Sequence, residues 1–431
     1  MGKSTAMNDT LNTPTSSPSP KSVPTSGSAS LRKSRRKLTL RESFDLPLTI
    51  IVLTIFAVGL LMVYSASWQY AVSQGASEYG TVLRQFAYGI IGIAGAAVLT
   101  FIDYHLYRRL VVPGMLVVIV LLVGVLIFGM ETEQGAKRGL FAGSIQPSEF
   151  AKLMIIIYLS FWLDSKKDSF NHLSIGLIPL TAIVGFTAGL ILAQPDVSAA
   201  ATVILLGGIL FFISGGKMQQ ILIVVGATVI LGSLVVLVNN TASTRLKDYW
   251  NGLQNPEQAS DHVKWSLEAI INGGAFGVGI GRSTTKFIGL PVAPTDSIFA
   301  VIAEETGFVG AFCVLILYII LLWRGLTIAN RATDDLGKWL AAGITLWITI
   351  EAAINTGVLV NLLPFAGNAL PLISSGGSSL ITTLAGIGVL SSIARESKLA
   401  SPSSERSDTH AAVNLRRGDG RRSVSSPVRT S

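Results

Sequence analysis

Apolar residues along the chain gather into ten runs that approach the roughly 17 to 25 residues needed to cross a bilayer as helix. They are Leu46 to Tyr64, Phe86 to Ile102, Leu110 to Phe128, Phe150 to Leu163, Leu173 to Leu192, Ala199 to Ile213, Ile221 to Val238, Ser297 to Trp323, Trp339 to Val360, and Leu380 to Ala394; the fourth, sixth and tenth are short. The pattern predicts an all-α polytopic membrane protein of about ten transmembrane helices. Residues 46–395 form its membrane domain, with a large extracytoplasmic loop at 239–296. The flanking segments 1–45 and 396–431 are polar, basic and poor in large apolar side chains, so they read as disordered cytoplasmic tails.

Composition narrows the class. Half of the 431 residues are hydrophobic and only 13% are charged, which excludes an ordinary soluble globular protein. The single cysteine, Cys313, removes any intramolecular disulfide or cysteine metal site. Orientation follows from the basic residues. With both termini inside, the N-terminal tail and the stretch from Arg395 onward hold eight Lys and Arg each and the inner connections eight more, 24 of the 33. Every unusual polar stretch then falls on the outer face: Gly135 to Lys152, Ala193 to Ala199, Asn239 to Asp296, and Leu362 to Ser379.

Those stretches carry the candidate chemistry. In SIQPSEFAK, Pro147 suits the first turn of a helix, and Glu149 and Lys152 share one face, either as a helix start with a local ion pair or as part of a cavity wall. Asp196 in AQPDVSA reads as a helix cap and, with Glu149 and Lys152 on the same side, as a member of one polar cavity. Asp296 follows Pro294 at a helix start; Glu304 and Glu305 lie about two to two and a half turns deeper and are expected to organise the cavity behind it. Glu351, deep in the ninth run, is open to the same two readings. SSGGSS, Ser374 to Ser379, offers backbone N–H groups for a phosphate or pyrophosphate. GGAFGVGIG, Gly273 to Gly281, lacks the strand–helix setting of a nucleotide loop, and the preceding HVKWSLEAII reads as an interfacial amphipathic helix anchored by Trp265. None of the four histidines sits in a metal-ligand or triad pattern.

Taken together, GAKR with IQPSEFAK, QPD at Gln194 to Asp196, KWSLEAIINGGAFGVGIGRS, PTDSIFAVIAEETGFVG and LPLISSGGSS resemble the SEDS family of FtsW/RodA-type membrane glycosyltransferases, with the FtsW division type the preferred assignment. The resemblance spans roughly Tyr64 to Arg395. It implies a peptidoglycan glycosyltransferase of the bacterial cytoplasmic (inner) membrane that polymerises lipid II at the outer face, for cell division or elongation. Carried over residue by residue, it implies Asp296 as catalytic base and Glu149, Lys152, Asp196, Arg138, Ser378 and Ser379 as substrate-binding groups. Lys152, Arg138 and the SSGGSS backbone would stabilise the leaving pyrophosphate. A divalent cation, Mg or Mn, is left open, with Asp196 as one carboxylate that could help hold it. The implied partners are lipid II and a class B penicillin-binding protein, with no nucleic acid. The chain departs from the family pattern at Gly139, Pro294 and Ser375, where Trp, His and Tyr are usual, and has Phe365-Ala366 after LLP. A lipid II flippase is the alternative from another class, and a non-catalytic scaffold a third reading.

Overall fold

The computed structural model describes residues 39–400 except 74, 76, 132–136, 140–145, 167–176 and 239; the tails lie largely outside the described residues. All described residues belong to one compact unit, Lys37–Ser431. Among the described residues fourteen α-helices follow in order: α1 Leu40–Ser43, α2 Leu46–Ser73, α3 Gly80–Phe101, α4 Val111–Phe128, α5 Pro147–Ser165, α6 Leu177–Leu192, α7 Val197–Ile213, α8 Met218–Val238, α9 Asn240–Gln254, α10 Asp261–Gly273, α11 Thr285–Ile288, α12 Ile298–Asn330, α13 Asp335–Leu359 and α14 Gly377–Ala400. Each of the ten apolar runs corresponds to one of these helices. Among the described residues, six (α2, α3, α4, α12, α13 and α14) are both long and apolar enough to cross a membrane on those criteria alone, and shorter apolar helices occur within α6, α7 and α8.

The chain is not wholly helical. An antiparallel ribbon pairs β1, Met130–Glu131, with β2, Lys137–Gly139, in the connection before α5. The segment 240–296 holds the helices α9, α10 and α11. Helix α10 packs on α12. Trp265 is half-buried, and a Cβ on Gly289 would come within 2.3 Å of its ring, so one part of the indole packs against protein.

Close packing of α3 on α14 sets one wall of the bundle. Between apolar helices in lipid, association rests on shape and small residues, and here a Cβ on Gly388 would lie 2.7 Å from the Ala96 backbone. The other distinctive join is in α12, which breaks at Gly307 (φ 71°, ψ −173°). The freed carbonyls of Glu304 and Glu305 accept from the N–H groups of Val278 and Gly279, both at 3.0 Å. The N–H groups of Phe308 and Val309 donate to the carbonyls of Gly274 and Ala275, at 2.9 and 3.1 Å. Backbone groups exposed by the break are thus satisfied by the glycine-rich loop, as a water-poor setting demands. The glycines allow it, since a Cβ on Gly277 would lie 2.2 Å from the Glu305 carbonyl oxygen.

Candidate active site

Five segments meet at one end of the bundle around a cavity of about 530 Å3. The start of α5 contributes Gln146 and Glu149, the start of α7 Asp196 and Ser198, and the loop before α12 Pro294, Thr295 and Asp296. The segment after α13 contributes Gly367 to Ala369 and Ser375 to Ser379, and α3 supplies Thr81, Arg84, Gln85 and Tyr88.

Local sequence explains these positions. Pro147 occupies the first turn of α5, with Glu149 behind it in the same turn. Asp196 caps α7, and its carboxylate is also a junction. Oδ1 accepts from the Ala199 N–H at 3.2 Å and Ser198 Oγ at 3.0 Å, while Oδ2 accepts from Ser148 Oγ and Gln146 Nε2, each at 3.2 Å. The capping and cavity readings of Asp196 therefore both hold in the geometry: it ties the starts of α5 and α7 together and lines the cavity.

Asp296 stands one residue ahead of Ser297, the N-cap of α12, and is half-buried on the cavity wall. Its loop is fixed through backbone carbonyls. Asn355 Nδ2 donates to the Asp296 carbonyl at 2.8 Å and also to that of Asn368; Ser374 Oγ donates to Thr295 at 2.6 Å, and the Ser375 N–H to Pro294 at 2.9 Å. The N–H groups of Ser374, Ser375 and Gly376 are consumed by such contacts, the last by Gln85 Oε1 at 3.4 Å, so SSGGSS does not form an open nest. What faces the cavity is the first turn of α14, with Ser378 and Ser379; Ser378 Oγ accepts the Gln146 N–H at 2.9 Å. A helix N-terminus there favours an anion.

Lys152 does not line the cavity. It is 1% exposed, and its ammonium donates to Glu149 Oε1 at 2.9 Å and to the Glu351 carboxylate from α13. Glu149 lines the cavity, and its Oε2 atom is buried without a hydrogen-bond partner among the described residues. Glu304 and Glu305 are also away from it. Glu304 accepts from Ser283, Thr284 and Thr285, and Glu305 from Ser65 Oγ at 2.6 Å and Lys286 Nζ at 2.7 Å, so together they clasp the end of the glycine-rich loop. Arg138 has its backbone in β2, but its side chain lies outside the described residues.

Two features escape a reading of the sequence alone. Placing the second run's start at Phe86 left Arg84 and Gln85 outside it, whereas α3 begins at Gly80. Arg84 supplies a cation to the cavity wall, and buried Gln85 donates to the Ser374 carbonyl at 2.9 Å. His262 is not isolated: it stacks on Phe365 with ring centroids 4.1 Å apart and places Nδ1 3.3 Å from Ser297 Oγ. Burial, and then the charge of Arg245, push its pKa down to about 4, which keeps the ring neutral. Glu149, Asp196 and Asp296 share the cavity; among the described residues no three His, Cys, Asp or Glu side chains group so as to hold a metal ion, and no chemical step is assigned to a metal.

Comparison with known proteins agrees with this geometry. The model of the FtsW/RodA/SpoVE cell cycle protein family matches residues 46–399. A probable peptidoglycan glycosyltransferase FtsW of Trichlorobacter lovleyi is 36% identical over 369 residues, covering 85% of this chain and 97% of its own. Stage V sporulation protein E of Bacillus subtilis is 35% identical over 363 residues, covering 84% and 99%. A chain from a solved peptidoglycan synthase complex that coordinates polymerization and crosslinking superposes with a TM-score of 0.67 at 26% identity, covering 82% of this chain and 98% of its own. The crystal structure of the rod shape determining protein RodA of Thermus thermophilus gives 0.61 at 26%, covering 82% and 97%. The chain is a member of the FtsW/RodA/SpoVE family of cell cycle proteins.

Proposed function

We propose that this chain is a peptidoglycan glycosyltransferase that polymerises lipid II at the outer face of the bacterial cytoplasmic membrane. The observation that carries the reading is the cavity itself, where a loop-borne carboxylate, two further buried carboxylates, a guanidinium and a helix N-terminus converge. In this reading Asp296 takes the proton from the acceptor sugar 4-hydroxyl as that oxygen bonds to the donor's anomeric carbon. The bond to the lipid pyrophosphate breaks on the opposite side, with inversion. Arg84 and the first turn of α14 face the departing charge, a role that Lys152, paired beneath the wall, cannot take.

A class B penicillin-binding protein is the proposed partner, supported by the similarity to a chain of a synthase complex. The test is glycan-strand formation from purified lipid II by the detergent-solubilised protein with that partner. Asp296→Asn, folded as judged by size exclusion, is expected to lose about 100-fold to 10,000-fold in rate. Equal polymer from both proteins refutes Asp296 as the base. No polymer from either, with protein-dependent lipid II transfer across liposomes, favours a flippase instead.

A further inference from the structure

A second cavity, of about 290 Å3, lies at the ends of α12 and α14 remote from the first. Helix α12 starts beside Asp296 and α14 starts at the wall of the first cavity, whereas Arg324, Arg331 and Lys398 lie towards their far ends. Three cations and one carboxylate, Asp45, face this second space.

Asp45 holds one of the cations still. It is 2% exposed and accepts the Leu48 N–H at 3.1 Å and Arg324 Nε at 2.8 Å, with Arg324 Nη2 on its other oxygen. That arrangement uses one edge of the guanidinium. Nη1 donates no hydrogen bond among the described residues, and neither does the Arg331 side chain. Lys398 Nζ donates to the backbone carbonyls of Glu42 and Phe44, at 3.2 and 3.0 Å, and these carry no formal charge. The lining therefore keeps an excess of positive charge with open donors. Helix α2 begins at Leu46 and α12 ends at Asn330, so this excess sits where helices leave the apolar layer, the depth of lipid phosphates.

We propose that this pocket binds the phosphate of an anionic phospholipid headgroup, on the membrane face opposite the Asp296 cavity. A fixed guanidinium edge with a second guanidinium and an ammonium around it matches the oxygens of a phosphodiester, and Asp45 orders the site instead of occupying it.

The full-length protein in zwitterionic detergent micelles, titrated with phosphatidylglycerol or phosphatidylcholine and read by native mass spectrometry, tests this. The variant is Arg331→Gln/Lys398→Gln, which leaves the Asp45–Arg324 pair intact so that neither charge is orphaned. Wild type is expected to retain phosphatidylglycerol over phosphatidylcholine, and the variant to lose about fivefold in affinity for each cation removed. Equal retention by both proteins overturns the proposal. Displacement of phosphatidylglycerol by inorganic phosphate overturns the lipid as the source, and resistance to it supports the headgroup. The readout does not involve lipid II, so it stands or falls separately from the glycosyltransferase reading.

Discussion

Replacing Lys152 by Met isolates the energetics beneath the cavity. The ammonium is 1% exposed and lies between Glu149 and Glu351, the latter 2% exposed, with its Nζ 5.9 Å from the centre of the Trp347 ring. Two carboxylates thus share one cation. Met fills the space of the aliphatic stem but removes the charge, so both carboxylates lose their partner and face each other across apolar packing. Removing one member of a buried pair costs about 3–5 kcal/mol, because the desolvated charge that remains has nothing to offset it. Neutralising Glu351 as well should return part of that loss. Glu149 borders the cavity, so Lys152→Met/Glu351→Gln is expected to show a coupling of about 1–3 kcal/mol between the two changes. Denaturant unfolding in detergent, followed by tryptophan fluorescence, measures Lys152→Met, Glu351→Gln and the double variant. If Lys152→Met unfolds at the wild-type denaturant concentration, the ammonium is not the counter-ion described here and the reasoning fails.

Two other perturbations probe separate parts of the molecule. At Gly307 the backbone adopts φ 71°, and a Cβ would lie 2.4 Å from the Gly277 nitrogen, so Gly307→Ala is expected to cost about 1–3 kcal/mol and to expose the glycine-rich loop to limited proteolysis; an unchanged digestion pattern would contradict the ladder between loop and helix. His105 places Nδ1 2.6 Å from Asp103 and Nε2 2.9 Å from Asp334. Burial works against the charged ring, but the two carboxylates outweigh it and raise its pKa. A raised folded-state value means that the contribution to stability is complete below the ordinary imidazole range, near about 6.5, and is lost as pH rises through the folded value. His105→Gln should therefore flatten the fall in melting temperature between about pH 6 and 8, and an identical slope in both proteins would sink the assignment.

The helical frame was legible because lipid demands long apolar runs, and those runs marked every spanning element to within a few residues at most ends. Asp296, Glu149 and Asp196 were legible for the complementary reason: carboxylates at the edge of such runs are costly unless they do something, and all three border one cavity. Partnerships across the bundle were not. Nothing near Lys152 in sequence reveals Glu351 on another helix, and without that partner the lysine reads as a cation available to substrate. Glu304 and Glu305 misled in the same way, since most of their partners come from a loop some twenty residues earlier that folds back on them, and Ser65 of α2 reaches Glu305 from further still. Arg84 and Gln85 were hidden by a boundary, because polar residues in the first turns of a spanning helix look like connection until the helix is seen to begin before them.

The cross-links between the Asp296 loop and the segment after α13 have a consequence for biosynthesis. Thr295 and Asp296 are held by Ser374 and Asn355, and Ser374 in turn is held by Gln85, which is made far earlier. A ribosome that has delivered every helix through α12 has therefore produced the candidate base without the residues that hold it in place. The wall closes only when α13 and the start of α14 have emerged, so a truncated or half-inserted chain lacks the Asn355 and Ser374 anchors of the Asp296 loop, and assembly of the cavity coincides with completion of the membrane domain.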